Sequence, residues 1–289
     1  MSVCKYCGQK VGWFSDAHED CTRKVTQGIE SLKSRVADSI VQGKQYGDTK
    51  AELEKISNES FIPKSESLVA LKEGWIRGAQ QRSIAQPISD SEFSAISDFY
   101  RDAGLTQDEM RKTPGFRAMV FSYLIWTVLH DQVQPYDGPI HFNLQSGETA
   151  VFGIANVLLS EQSTKSTYVG GYSGVSVRIA RGVYYHVGGT RGHREESSGL
   201  QEVDYGDFLM TTKAVYFGGT EKGVNFRLPF NQIVRFQPYS DAVGVCKNNG
   251  KEKLFAPQHV SDSGWFLFNV LQALAARDAD ARGHHQTQE

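Results

Sequence analysis

Four residues near the N-terminus have the types and the spacing of a metal site. Cys4-Lys5-Tyr6-Cys7-Gly8 sets two thiols on one tight turn, and His18-Glu19-Asp20-Cys21, beginning ten residues after Gly8, adds an imidazole and a third thiol. Two thiolates at the first spacing converge on one ion, and Gly8 relaxes the backbone where amides turn toward sulfur. With Asp16 as the cap of a following helix, His18 and Cys21 lie one turn apart on the same face. Three soft thiolates and one imidazole form a closed tetrahedral zinc set with no position left for substrate, so the ion is expected to be structural. A segment of about 24 residues buries too little to fold alone, whereas structural zinc supplies about 10–16 kcal/mol of apparent binding free energy in finger peptides. Tyr6, Trp13 and Phe14 are expected to pack around the ion. Two readings compete: unrelated reduced cysteines beside a chance histidine, and an iron–sulfur cluster, for which a histidine ligand is unusual.

Other chemistry-bearing residues are more scattered. Arg178, Arg181, Arg191 and Arg194, with His186 and His193 and the glycines 188, 189 and 192, can hold a phosphate or carboxylate bidentately. The favoured reading of that stretch is nonetheless a solvated loop, partly neutralised by Glu195 and Glu196. Cys246, inside a strand-like run, reads as a small core residue. Gly171-Tyr172-Ser173-Gly174 lacks the second spacer of a nucleophile elbow, and no phosphate loop or dinucleotide fingerprint follows a strand. Asp204 and Asp207 have no base or metal ligand placed beside them by the sequence. The expectation is therefore a protein that is not an enzyme. A nuclease built on the zinc module is the enzymatic alternative, and the missing His-Asn-His pattern counts against it. For nucleic-acid binding, Lys5, Lys10, Arg23 and Lys24 are the zinc module's available phosphate contacts.

These residues need elements to carry them. At 289 residues, 39% hydrophobic and 22% charged, the chain can build two packed domains and a small appendage. A net charge of -2 gives no overall pull toward nucleic acid or anionic membrane. The longest apolar stretch, Ala118 to Leu129, is too short to span a bilayer and contains Ser122, Tyr123 and Thr127. No signal-peptide core and no disulfide framework are present, which points to a reducing cytoplasm. Residues 1–24 form the zinc knuckle. Residues 25–66 are read as a helix, with Ile29, Leu32, Val36, Ile40 and Val41 on one stripe, followed by a polar linker from about 43. That linker carries one short helix around Lys50 to Ile56. Residues 67–138 are helical: Ser89-Asp90-Ser91-Glu92 is a capping box flanked by an Ile88–Phe93 staple, and Thr106 starts a second helix. After Pro139 the apolar period changes to two. Residues 139–277 are expected to form an antiparallel β-domain closed by a helix that Ser263 caps, with Phe268, Leu271 and Leu274 buried. Residues 278–289 are read as a disordered tail.

The last half of the chain resembles bacterial PH-like domains of the GRAM type. The resemblance rests on the segment Tyr168 to Tyr185, on Tyr205-Gly-Asp-Phe-Leu-Met-Thr-Thr-Lys-Ala-Val-Tyr-Phe-Gly-Gly, on Phe226-Arg-Leu-Pro-Phe-Asn-Gln-Ile-Val-Arg-Phe, and on the helix from Trp265. The whole arrangement is similar to an uncharacterised bacterial or phage group with a Cys-x-x-Cys-Gly knuckle of treble-clef type, a helical middle and this β-domain. The resemblance implies an α+β chain: a zinc knuckle, a helical middle, and a C-terminal antiparallel PH-like barrel capped by a helix. It further implies an adaptor that docks a protein partner, or an anionic ligand, through the PH-like domain. Such folds also take lipid headgroups, so peripheral lipid contact stays open, and nucleic acid bound by the zinc module is the alternative.

Overall fold

The structure, a computed structural model, describes the backbone of residues 2–162, 171–172, 175–180, 183–187, 190–191, 200–248, 251–259 and 263–286. It describes the side chains of these except 162, 171–191 and 284–286. By its internal contacts the chain divides into two compact units, Met1–Tyr123 and Leu124–Glu289.

The first unit opens with a two-stranded antiparallel hairpin, β1 (Ser2–Val3) and β2 (Lys10–Val11), and continues with helices α1 (Glu19–Val41), α2 (Tyr46–Glu59), α3 (Lys64–Ala85), α4 (Asp90–Asp102) and α5 (Gln107–Arg111). It ends inside α6 (Pro114–Leu129). The stripe read on α1 turns inward at Leu32, Val36 and Ile40, which join Leu53, Trp75, Ala79, Phe99, Tyr100 and Met119 in one core, while Val41 is left exposed. α1 stops at Gly43, whose φ of 69° is the left-handed conformation of a helix C-cap, with the amide of Lys44 donating to the carbonyl of Ser39. α3 lies close against α1 because Gly74 and Gly78 present no side chain there: a Cβ on Gly78 would sit 2.8 Å from Ile40 Cβ. The capping box at α4 is formed, Glu92 N donating to Ser89 Oγ while Ser89 N donates to Glu92 Oε2 at 2.9 Å. Thr106 caps α5 through its hydroxyl, which accepts from Glu109 N.

The polar stretch read as a linker is different. α2 covers 46–59 rather than a short turn around 50–56. A capping box between Gln45 and Asp48 starts it, and Tyr46, Leu53 and Ile56 pack into the core. Three apolar residues on one face are enough once a neighbouring helix receives them, although the sequence around them is charged.

In the second unit seven antiparallel strands run in the order β10-β9-β8-β3-β13-β12-β11. They are β3 (Ala150–Gln162), β8 (Leu200–Thr211), β9 (Ala214–Gly219), β10 (Asn225–Pro229), β11 (Ile233–Pro238), β12 (Val243–Lys247) and β13 (Lys253–Pro257). Two small pairs, β4 (Gly171–Tyr172) with β7 (Thr190–Arg191) and β5 (Val175–Ala180) with β6 (Val183–Val187), lie between β3 and β8 in sequence. The large sheet curls into a half-barrel, and α7 (Ser263–Gln286) is the C-terminal helix of the expected α+β architecture. Phe268, Leu271 and Leu274 are buried as read, together with Phe266, Leu267 and Val270. The run Phe208 to Met210 is apolar without alternation because both faces are covered: Phe208 meets Phe255 on one side, and Leu209 meets a cluster with Tyr136, Phe142 and Leu144 on the other.

Three local expectations change. Ser263 is the first residue of α7, and its hydroxyl donates to the carbonyl of Asp241 at 3.2 Å rather than capping the helix. The segment read as a disordered tail is helical to Gln286, since its alanines and arginines are strong helix formers and Arg282 pairs with Asp278 one turn back. β13, which the sequence reading passes over, holds a central place between β3 and β12.

Candidate metal centre

The hairpin and the start of α1 bring the four sequence-predicted ligands together. β1 and β2 pair Val3 with Lys10, and the turn between them closes with Cys4 N donating to Gln9 O at 2.7 Å and Gly8 N donating to Cys4 O at 2.9 Å. Gly8 has a φ of 71°, which a residue with a Cβ adopts only under strain. This turn faces Cys4 and Cys7 toward the N-terminus of α1, where His18 is the residue before the first turn and Cys21 lies within it.

The ligand atoms of Cys4, Cys7, His18 and Cys21 all lie within 4.8 Å of one another. Cys7 Sγ is 3.4 Å from His18 Nδ1, and Cys21 Sγ is 3.7 Å from the same nitrogen. A tetrahedral ion with sulfur at about 2.3 Å and nitrogen at about 2.0 Å separates its S and N ligands by about 3.5 Å, so these distances fit one shared ion. His18 Nε2 lies 3.0 Å from the carbonyl oxygen of Lys10. With Nδ1 as ligand atom, the Nε2–H donates to that carbonyl, which fixes the tautomer and ring orientation as an outer-shell partner does. The sequence carries no signal for Lys10, because its contribution is a backbone carbonyl. The four residues can therefore hold a metal ion.

The electrostatics favour ionisation of one thiol first. Burial pushes Cys4 up, but the amides of Cys7, His18 and Tyr6 and the Cys7 thiol outweigh it and bring the pKa down to about 6. Burial, then the Cys7 and Cys4 thiols, push Cys21 up to about 11. A bound cation would override that difference by ionising every coordinating thiol.

Two expectations about the knuckle fail. Asp16 does not cap α1: its carboxylate is held 3.0 Å from Lys5 Nζ, and no side chain caps the helix at His18. Trp13 and Phe14 do not pack around the site; Trp13 is 82% exposed and Phe14 is fully exposed, on the loop between β2 and α1. A hairpin of this size has no interior to receive them. Tyr6 is half-buried.

The remaining candidates separate clearly. Of Arg178 and Arg191 only the strand backbone is described, and Arg181 and Arg194 lie outside the described residues, as do Ser173 and Gly174. Cys246 is half-buried rather than in the core, and its sulfur accepts from Arg235 Nη2 at 3.6 Å. Asp207 lies 3.1 Å from His141 Nδ1 at the surface. Asp204 is buried, and its carboxylate accepts from the amides of Tyr205, Glu221, Lys222 and Val224 at 2.8 to 3.2 Å, tying β8 to the turn between β9 and β10. Among the described residues, no helix is long and apolar enough to cross a membrane.

No protein-family model matches this chain, and no curated protein matches it. Among solved structures, a Vps36 N-terminal PH domain is similar to 49% of this chain over 86% of its own length, at 12% identity and a TM-score of 0.29. A superposition that loose transfers neither a ligand nor a role to this chain.

Proposed function

We propose that this chain is a non-enzymatic adaptor in which a structural zinc ion shapes a docking surface for a protein partner, with the β-domain as a second surface. The observation that carries the reading is the exposed pair Trp13 and Phe14 beside the Cys4–Cys7–His18–Cys21 cluster. Adjacent exposed aromatics are unfavourable in water and are the residue types that dominate the energetics of buried interface centres. A closed ligand set gives the ion no catalytic position, so its role is to hold the loop that displays them. Three thiolates with one imidazole select zinc over harder cations.

Charge argues for a protein over a nucleic acid. Lys5 is paired with Asp16, Arg23 with Asp20, and Lys24 lies over the Phe61 ring, so three of the knuckle's four cations are already engaged. The test is capture of partners from the native host with the wild type and with a Trp13→Ala/Phe14→Ala variant, at 50 and 200 mM salt. Expected is a protein partner that is retained at both salt concentrations and lost with the variant. Recovery of nucleic acid alone, with affinity falling steeply with salt, would overturn the reading. Metal-dependent turnover of DNA or RNA would overturn its non-enzymatic part.

A further inference from the structure

α6 ends at Leu129 and β3 begins at Ala150, so the twenty residues between them, 130–149, carry neither helix nor strand. Loops longer than about 12–15 residues without secondary structure are uncommon in compact domains and are usually functional. This one sends Tyr136, Phe142 and Leu144 onto one face of the large sheet, where they pack on Ala150, Leu209, Ala214 and Tyr216. It is the face opposite the Phe208–Phe255 contact.

The sheet beneath is shaped to take the two rings. Gly153 of β3 pairs with Leu209, and Gly218 of β9 pairs with Asp207 two positions before it, so both glycines lie on the same face as Leu209. A Cβ on Gly153 would come within 3.0 Å of the Tyr136 ring, and one on Gly218 within 2.9 Å of the Phe142 ring. A glycine inside a strand often marks close approach by another group, and here each leaves a socket for one aromatic ring. The Phe142 ring also lies 5.5 Å from that of Tyr216. The cover itself is lightly held. Every residue from 133 to 147 is exposed or half-buried, while Leu209, Ala214 and Tyr216 under them are buried. Among the described residues, Tyr136 N donating to Ala150 O at 2.9 Å is the only backbone–backbone hydrogen bond that joins this stretch to the sheet. His141 adds a surface contact, its Nδ1 3.1 Å from Asp207 Oδ2. The far end is fixed, because the enclosed Glu148 carboxylate accepts from Arg227 Nε at 3.0 Å and from the Tyr216 hydroxyl. Segments with little burial and few backbone hydrogen bonds sit at the low-stability end of a fold and open without global unfolding.

We infer that residues 133–147 are a displaceable strap, and that the sheet face they cover is a docking groove for an extended peptide of another protein. That peptide carries two aromatic side chains six positions apart, as Tyr136 and Phe142 are, and its rings enter the sockets at Gly153 and Gly218. The strap argues for this occupant, since it is itself such a peptide, seated on the face by its two rings. The proposal rests on the β-domain being a second docking surface. Tethered at both ends, the strap competes at an effective concentration on the order of millimolar, and a partner displaces it by binding more tightly than that.

The test uses the full-length chain and a fluorescein-labelled peptide of residues 133–147, with anisotropy as the readout. Tyr136→Ala/Phe142→Ala empties the sockets, and this variant should bind the peptide about tenfold or more tightly than wild type, whose own strap occupies the groove. A control peptide with both aromatics replaced by alanine should not bind. Phe142→Ala alone removes one half-buried ring, should bind with intermediate affinity, and serves where the double variant does not fold. Circular dichroism checks that each variant retains its strands. A folded variant that leaves the peptide unbound at millimolar concentration would overturn the proposal. So would equal binding of the alanine peptide, or binding by wild type as tight as by the variants, either of which would place the peptide outside the sockets. The Trp13→Ala/Phe14→Ala capture does not touch this groove, so failure here removes the groove and leaves the zinc module's surface standing.

Discussion

Truncation of Leu271 to alanine tests whether α7 is the closing element of the β-domain. Leu271 is completely buried, and so are Leu267, Val270 and Leu274 around it on the same helix. Removing three carbon groups at roughly 0.8 kcal/mol each forfeits about 2.4 kcal/mol of transfer free energy. The cavity term is added to this, and Leu→Ala losses reach about 5 kcal/mol where surrounding side chains cannot collapse inward. Neighbours on α7 that are themselves fully buried leave little room to relax, so the expected loss is about 3–5 kcal/mol. For a domain of this size that is a fall of about 6–20 °C in melting temperature, at about 2–4 °C per kcal/mol. Urea unfolding followed by circular dichroism measures it, with Gln272→Ala, half-buried on the next position, as a control expected to stay within about 0.5 kcal/mol. A loss below about 1 kcal/mol with an unchanged denaturant slope would mean that this face of α7 is not buried in solution, and the reasoning would fail.

Two further perturbations follow from close contacts elsewhere. Gly78→Ala should destabilise by about 1–3 kcal/mol despite alanine's better helix propensity, because its Cβ would lie 2.9 Å from backbone atoms of Ala37 that cannot yield. Gly47→Ala, where a Cβ meets nothing within 4 Å, should be neutral or stabilising in the same denaturation experiment. At Asp204, burial raises the carboxyl pKa, but the amides of Val224, Lys222, Glu221 and Tyr205 outweigh it and hold the value below the ordinary 3.8. A lowered folded-state pKa means a contribution present in full above the unfolded carboxyl value and lost as pH falls through the folded one. Asp204→Asn should therefore be less stable than wild type at neutral pH and lose less on acidification below about pH 4; parallel acid titrations of the two would contradict the assignment.

The metal cluster was legible because four ligands sit at spacings that a turn and a helix each bring to one point, independently of the rest of the chain. The strands after Pro139 and the apolar face of α7 were legible for a similar reason, since their period shows in local sequence. What escaped depends on partners distant in sequence. β13 is Lys-Leu-Phe-Ala-Pro, too short to show a period, and it is a strand because β3 and β12 flank it. The first half of β8 carries the polar residues Gln201, Glu202 and Asp204, yet it pairs with β3, and Asp204 meets a turn reached many residues later. α2 was read as mostly linker because its charged residues outnumber its apolar ones, although Leu53 reaches the core at 3% exposure with Tyr46 and Ile56 packed beside it. Trp13 and Phe14 were expected to pack around the ion; a hairpin with a buried Cys4 at its centre has no room for them.

The most direct test of the central claim is the metal content of the full-length chain purified without added metal. The cluster geometry predicts one zinc per chain by elemental analysis, lost in Cys4→Ser and in Cys21→Ser. Iron in its place, or a folded wild-type chain that carries no metal, would contradict it.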